Sequence, residues 1–427
     1  MKLLLPLLLF VATTTFGQKA LKLINEKETE RIERVLSADD MKGRKTFSPE
    51  IEKAAAFIAS EFEKNGLQKW NGSNSFLQEF SMTGRKSISA SGKVNNAEVD
   101  GKNIIAISPK AELQINEQSG YEKLVFDKDK NLMQSIRKII SAEKNTIVFA
   151  DTSNAKLFAR LSQMNSPIFS NHADIVLVMT NEIPSTFKFN IKQEISKQPL
   201  ANVVGVIPGK SKPNEYVIFS GHYDHIGINS KNMINNDSIY NGANDDAAGT
   251  TAVIMLSKYY KELNDNERTL IFATFTAEEV GGFGAQYFSQ QFNPDQVVAM
   301  FNIEMIGTES KWGKNSAYIT GYEKTDMGAL LQKNLDGTGF TFYPDPYPDQ
   351  NLFYRSDNAT LARLGVPAHT ISTSKMDSEP NYHKASDEIV TLDMNNMTAI
   401  IRAIALSAKG IVAGKDTPTR VDTSSLR

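Results

Sequence analysis

From residue 202 onward, short apolar runs alternate with amphipathic stretches, and the spacing sets what each can become. Runs rich in β-branched and aromatic residues at 203–207, 217–220, 269–276, 297–305, 317–320 and 368–372 have the length of buried strands. Between them, apolar residues recur at helical spacing over 247–263, 284–291, 324–335 and 358–364, and a last helical stretch covers 394–412. Strand and helix in alternation predict an α/β fold, with a mixed, mostly parallel central sheet and helices on both faces. The run Tyr216-Val217-Ile218-Phe219-Ser220 opens into Gly221-His222-Tyr223-Asp224-His225, which puts polar groups at a buried strand's carboxyl end. Open α/β sheets keep their chemistry there.

The first half of the chain has another texture. Residues 21–36 are charged and helix-compatible. Ser48-Pro49-Glu50 then supplies an N-cap, a proline at the first helical position and an acid in the first turn. Ile51, Ala54, Ala55, Ile58 and Phe62 follow at helical spacing, and Asn65-Gly66 is the stop. From 87 to 197 short β-type runs at 103–107, 146–149 and 175–179 are separated by polar turns, with few helical periods beyond 157–164. This predicts an inserted, β-rich small domain or lid. The expected division is a leader at 1–17, the N-terminal part of the main domain at 18–86, the insertion at 87–197, the main domain at 198–414, and a polar tail at 415–427 with no packing face.

Composition narrows the class. A chain of 427 residues can bury a large core in two or three domains, and its net charge of −2 leaves no footprint for nucleic acid. Lys2 precedes an apolar run at 3–11, and Thr15 and Gly17 are small residues at −3 and −1 of a cleavage point. Export to the periplasm or the medium is therefore expected. That run is too short to span a bilayer, no later uncharged segment is long enough, and the mature chain is expected to have no membrane span. With no cysteine, a disulfide framework and a cysteine-linked lipid are excluded. Oligomeric state leaves no signal.

The candidate chemistry sits at the strand ends. The imidazole of His222 suits zinc, and Asp224 beside it can either ligate or accept the second ring N–H. Asp245, in Asn244-Asp245-Asp246, offers a carboxylate at the entry to an apolar helix. Glu278-Glu279 follows another strand, and adjacent like charges cost energy unless a cation or a proton relieves one. Glu304, in Asn302-Ile303-Glu304-Met305-Ile306-Gly307, is an acid in an apolar run and calls for a partner such as a metal. His383, in Tyr382-His383-Lys384-Ala385-Ser386-Asp387, follows the sixth strand. Taken singly these are a solvated turn, a solvated loop, a salt-bridged strand edge and a surface histidine. Arriving one per strand-end loop, they point to one cation site.

In this order the motifs resemble those of the bacterial di-zinc aminopeptidases, a zinc-peptidase family with relatives among glutamate carboxypeptidase, transferrin receptor and glutaminyl cyclase. The resemblance covers 202–412 and 41–67, including Met41-Lys42-Gly43-Arg44. The insertion resembles, without a decisive motif, the protease-associated domain of some members. The resemblance implies two zinc ions bridged by Asp245, with His222 and Glu304 completing one site and Glu279 and His383 the other. Glu278 would be the general base, and Asp224 would orient His222 without ligating. Tyr382 would help to stabilise the oxyanion, a packed aromatic being the alternative. His225 and Asp246 stay outside this ligand set, and His172 and His369 are read as structural. There are two departures: Glu304 stands where the family usually has Asp, and in Ser356-Asp357-Asn358 the Asp is often followed by His. The implied function is that of an exported zinc exopeptidase, foremost an aminopeptidase, which hydrolyses peptides through a water bridging two zinc ions. Carboxypeptidase or dipeptidase action and glutaminyl cyclase-type acyl transfer are the alternatives. A transferrin-receptor-type binding protein is disfavoured because every ligand position holds a residue that can ligate.

Overall fold

The computed structural model describes residues 18–426 except 129, 131, 142–143 and 165, so the leader expected at 1–17 lies outside the described residues. The chain divides into two units, one built from the segment up to Glu79 and from Ala201 onward, the other from Phe80–Leu200. The division falls within two long strands, Leu77–Val94 and Phe187–Ile207.

In the first unit the elements are α1 (Glu26–Leu36), α2 (Pro49–Lys64), β1 (the end of Phe187–Ile207), β2 (Lys212–His222), α3 (Ala248–Leu263), β3 (Arg268–Phe275), α4 (Phe283–Ser289), β4 (Val297–Ile303), β5 (Ser316–Ile319), α5 (Met327–Lys333), β6 (Thr341–Pro344), α6 (Asn358–Ala362), β7 (Ala368–Ser372) and α7 (Met394–Ser407). The sheet runs β6-β5-β7-β4-β2-β3-β1. β2 is parallel to both β3 and β4, β4 to β7 and β5 to β6, whereas β1 and β5 run antiparallel to β3 and β7. Each strand run expected from 203 to 372 is present, and the sheet is mixed and mostly parallel.

Period-2 alternation sends successive side chains of each strand to opposite faces. Val217, Phe219, Leu270, Phe272, Ala299 and Phe301 pack with Ile32, Ile58, Leu256 and Ile400 from α1, α2, α3 and α7. Ile218, Ile271, Ala273 and Met300 pack the other way, with Phe288 of α4 and Leu361 of α6. Phe219 lies in register with Phe272 and Phe301, its ring centroid 5.5 and 4.9 Å from theirs. Full burial of such a side chain is worth about 1.5–3 kcal/mol, which fixes the register of the central strands. From β2 the chain crosses to β3 on one side, then to β4 on the other. This reversal opens a crevice at the carboxyl end of β2, where α/β sheets place ligands.

Against the one face, α1 buries an acid. Glu33 accepts a hydrogen bond from Thr251 Oγ1 at 2.9 Å, and burial pushes its carboxyl up to about 8 against the opposing effects of Thr251 and Arg44. A carboxyl raised in the folded state stabilises fully below its unfolded value of about 4.5 and progressively less as pH rises towards 8. Glu33→Gln should remove that dependence. The melting temperature of the variant relative to wild type should therefore climb between pH 5 and pH 8, and a pH-independent difference would refute the assignment.

In the second unit the sheet order is Ile104–Ile107, Ile175–Met179, Thr146–Ala150, Glu122–Phe126, with the first pair antiparallel and the others parallel. Ala155–Ser162 is helical where the spacing predicts it, but so is Leu132–Ile140, which does not figure in that reading. Leu132, Ile136 and Ile139 of this second helix are buried. It is only nine residues long, so it shows barely two periods.

One expectation is overturned outright. The C-terminal segment does pack: Val421 is 4 % exposed in the second core layer, Arg420 Nη1 donates to the Val297 carbonyl at 2.8 Å, and Val421 N donates to the Gly365 carbonyl. One buried valine among polar neighbours leaves no periodic trace. Among the described residues no helix is long and apolar enough to cross a membrane.

Candidate metal centre

His222 is the last residue of β2 and is buried. Its Nδ1 lies 3.1 Å from the Asp224 carbonyl, which fixes Nδ1 as the protonated nitrogen and turns Nε2 towards Asp245 Oδ1, 3.3 Å away. The expectation for Asp224 changes in detail. Its carboxylate oxygen is 3.8 Å from the ring, and the carbonyl does the orienting. The Asp224 carboxylate instead accepts from Glu278 N at 3.0 Å, Glu279 N at 3.4 Å and Thr46 Oγ1 at 2.8 Å, tying the β2 loop to the β3 loop.

Asp245 stands between two groups. One oxygen faces His222; the other is 3.3 Å from His383 Nε2 and 4.0 Å from His225 Nδ1. Burial would raise its pKa, but His222 and His383 together hold it well below the usual carboxylate range. The loop is set by Gly242, at φ +57, where a Cβ would stand 2.3 Å from the Asp245 carbonyl oxygen and 2.5 Å from the His225 ring. Asp246 accepts the backbone N–H groups of His222, Gly249 and Met305, so its carboxylate is committed to the scaffold.

Glu279 Oε1 is 2.8 Å from His225 Nδ1 and its Oε2 3.2 Å from His383 Nε2. Burial and Asp245 would raise its pKa, yet the two imidazoles bring it below its ordinary value. Burial lowers His383, but Asp245 and Glu279 overcome this and lift it to about 10. Glu304 follows β4 with a raised pKa, chiefly from burial, and its buried Oε2 has no hydrogen-bond partner. Glu278 is likewise raised by burial, against His222. Two donor sets result: His222, Asp245 and Glu304, and His225, Asp245 and Glu279, each with its atoms within 4.8 Å of one another. His222 Nε2 and Glu304 Oε2 are buried atoms without hydrogen-bond partners, as a site shaped for cations requires. Imidazole nitrogens and carboxylate oxygens are donors that zinc accepts.

Residues 202–408 match the family model described as peptidase family M28. This segment, just under half of the chain, is thus similar to peptidase family M28. A probable leucine aminopeptidase of Trichophyton verrucosum is 28 % identical over 206 residues, which are 46 % of this chain and 53 % of that protein. A probable zinc metalloprotease of Pyrenophora teres f. teres is 31 % identical over 110 residues, 25 % of this chain and 23 % of its own. The match thus spans about half the length of the first of these curated relatives. Among solved structures, an aminopeptidase from Aneurinibacillus sp. strain AM-1 shares the fold at a TM-score of 0.55 with 16 % identity, covering 92 % of this chain and 95 % of its own.

Three supports of this site were not foreseen. His225 joins the second donor set, because the His-x-Asp-His loop folds its last residue back onto Glu279. Asp387 accepts from Asn244 N at 2.8 Å and Asp245 N at 3.0 Å, so the loop after His383 holds the loop of Asp245 in place. Its position four residues after His383 is the one signal of this in the sequence. Arg44 is fully buried and donates to the carbonyls of Leu36, Tyr223, Asn241 and Gly242 at 2.6–2.9 Å. Tyr382 stacks on His383 with centroids 4.0 Å apart, at the wall of the cleft. Asp357, before the unusual Asn358, is buried, and burial pushes its carboxyl up to about 8 against His222. His369 is buried against Thr325 and Thr320, as a structural histidine would be.

Proposed function

We propose that this chain is a zinc-dependent aminopeptidase with two metal sites. His222, Asp245 and Glu304 would hold one zinc ion, and Asp245, Glu279 and His383 the other. His383 fits the second set better than His225 because it lines the cleft and its Nε2 faces both Asp245 and Glu279, at 3.3 and 3.2 Å, whereas His225 stands 4.0 Å from Asp245. The bound metal would supply a polarised substrate carbonyl and a water of lowered pKa. Glu278 lines the same cleft but belongs to neither donor set, so its carboxylate is free to take the proton from the attacking water and return it to the leaving amine.

The observation that carries the amino-end reading is the charge of the cleft. Asp245, Glu278, Glu279 and Glu304 line a cavity of about 160 Å³, an environment that attracts a protonated N-terminal amine, whose ordinary pKa is about 7.7–8.0. The names of the relatives, leucine aminopeptidase and zinc metalloprotease, support this class and give no support to cyclase chemistry. Metal analysis should return two zinc ions per chain, and free aminoacyl substrates should be cleaved where their N-acetylated forms are not. Cleavage of both alike would overturn the amino-end reading; a single zinc with pyroglutamate formation would point to a cyclase.

A further inference from the structure

We propose that Arg355 binds a carboxylate of the substrate and makes this cleft selective for peptides that carry one, either on an acidic side chain or at the C-terminus of a dipeptide. The inference rests on the aminopeptidase reading and deepens it. Arg355 is the one lysine or arginine among the residues lining the cleft, where four carboxylates occupy the metal end. It follows the turn Leu352–Tyr354 and precedes Ser356, whose hydroxyl accepts from Asn302 Nδ2 at 2.7 Å and bonds the Glu304 carboxylate. Arg355 is thus anchored next to one end of the metal centre. At the other, its Nη2 lies 3.5 Å from the hydroxyl of Tyr382, the ring stacked on His383.

The guanidinium is underused. Its two side-chain contacts, Tyr382 at 3.5 Å and Gln350 Oε1 at 3.4 Å, are at the long limit of a hydrogen bond. Among the described residues no carboxylate lies within the 4.0 Å of an ion pair. Arg355 is exposed at the cleft wall beside Leu352 and Met376, so its guanidinium is open to an entering ligand. A guanidinium offers a planar fork of N–H donors that fits a carboxylate bidentately. The cleft is therefore polarised, with an anionic end for the amine and a cation at the wall, which suits a substrate bearing a negative group beyond the scissile bond or on its first side chain.

The test compares zinc-loaded wild type with Arg355→Ala and Arg355→Lys on two substrate pairs: glutamyl against leucyl 4-nitroanilide, and Leu-Ala against Leu-Ala amide. In Arg355→Ala the ratio of kcat/KM within one pair should fall about ten- to hundredfold, the range for a charge-assisted hydrogen bond, and the change should lie in KM. Arg355→Lys should recover part of it. A fall in the first pair identifies a side-chain carboxylate, and a fall in the second identifies the C-terminus. Unchanged ratios in both pairs would overturn the assignment. If wild type turns over none of the four, the aminopeptidase reading fails. Calorimetric titration of glutamate and Leu-Ala then still decides on Arg355, with equal affinity for wild type and Arg355→Ala counting against it.

Discussion

Glu278→Gln should lose about 10²–10⁴-fold in turnover while keeping its metal and its affinity for substrate. The amide preserves the size of the side chain and removes its basicity. The fold should not notice the change, because Glu278 is fixed through its backbone N–H, donated to Asp224 Oδ1 at 3.0 Å, and its carboxylate takes part in neither donor set. Burial raises its pKa above the usual carboxylate range, which brings a carboxylate nearer to the pKa that serves a base at neutral pH. Metal content, KM and kcat measured on one preparation separate the possibilities. Turnover within tenfold of wild type would remove Glu278 from the role of base, and loss of metal would mark it as a ligand.

Asp245→Ala should have the broadest effect, emptying both sites. Its two oxygens face different imidazoles, His222 on one side and His383 on the other, so one carboxylate serves both donor sets. Affinity should fall by more than about a hundredfold at each site, since even partners outside the ligand shell are worth about 10–100-fold. The loop itself should hold, because Asp387 grips the backbone N–H of residue 245, which the substitution leaves in place. Zinc counted after dialysis is the readout, with Glu304→Ala as the control that should empty only the site of His222. One tightly held zinc in Asp245→Ala would show that the carboxylate is not shared.

How much of this was legible depended on which residues encode their own environment. Val217, Ile218 and Phe219 did, because a strand buried on both faces must be apolar at every position, and such a run ending in Gly-His stands out. Glu304 did, because an acid is out of place in an apolar run. His225 did not, because its approach to Glu279 is made 54 residues away by the turn of another strand end. Asp387 is invisible for a similar reason: its partners are backbone N–H groups, which every residue but proline has. In the second unit, Phe187, Phe189 and Ile191 alternate with exposed Lys188, Asn190 and Lys192, a strand signal diluted by the charged residues on its outer side. Val421 and Leu426 show the limit, two apolar side chains five positions apart reaching a core from a tail that is otherwise polar.

Arg44 bears on how the centre is made. Three of its four carbonyl acceptors, at Tyr223, Asn241 and Gly242, lie 179 to 198 positions further along the chain. At a synthesis rate of about 5–20 residues per second, the guanidinium leaves the ribosome roughly ten to forty seconds ahead of the groups that will receive it. During that interval a cation destined for full burial has to remain hydrated. The contacts that bury Arg44 can therefore be completed only after a delay set by translation, with Phe80–Leu200 emerging in between.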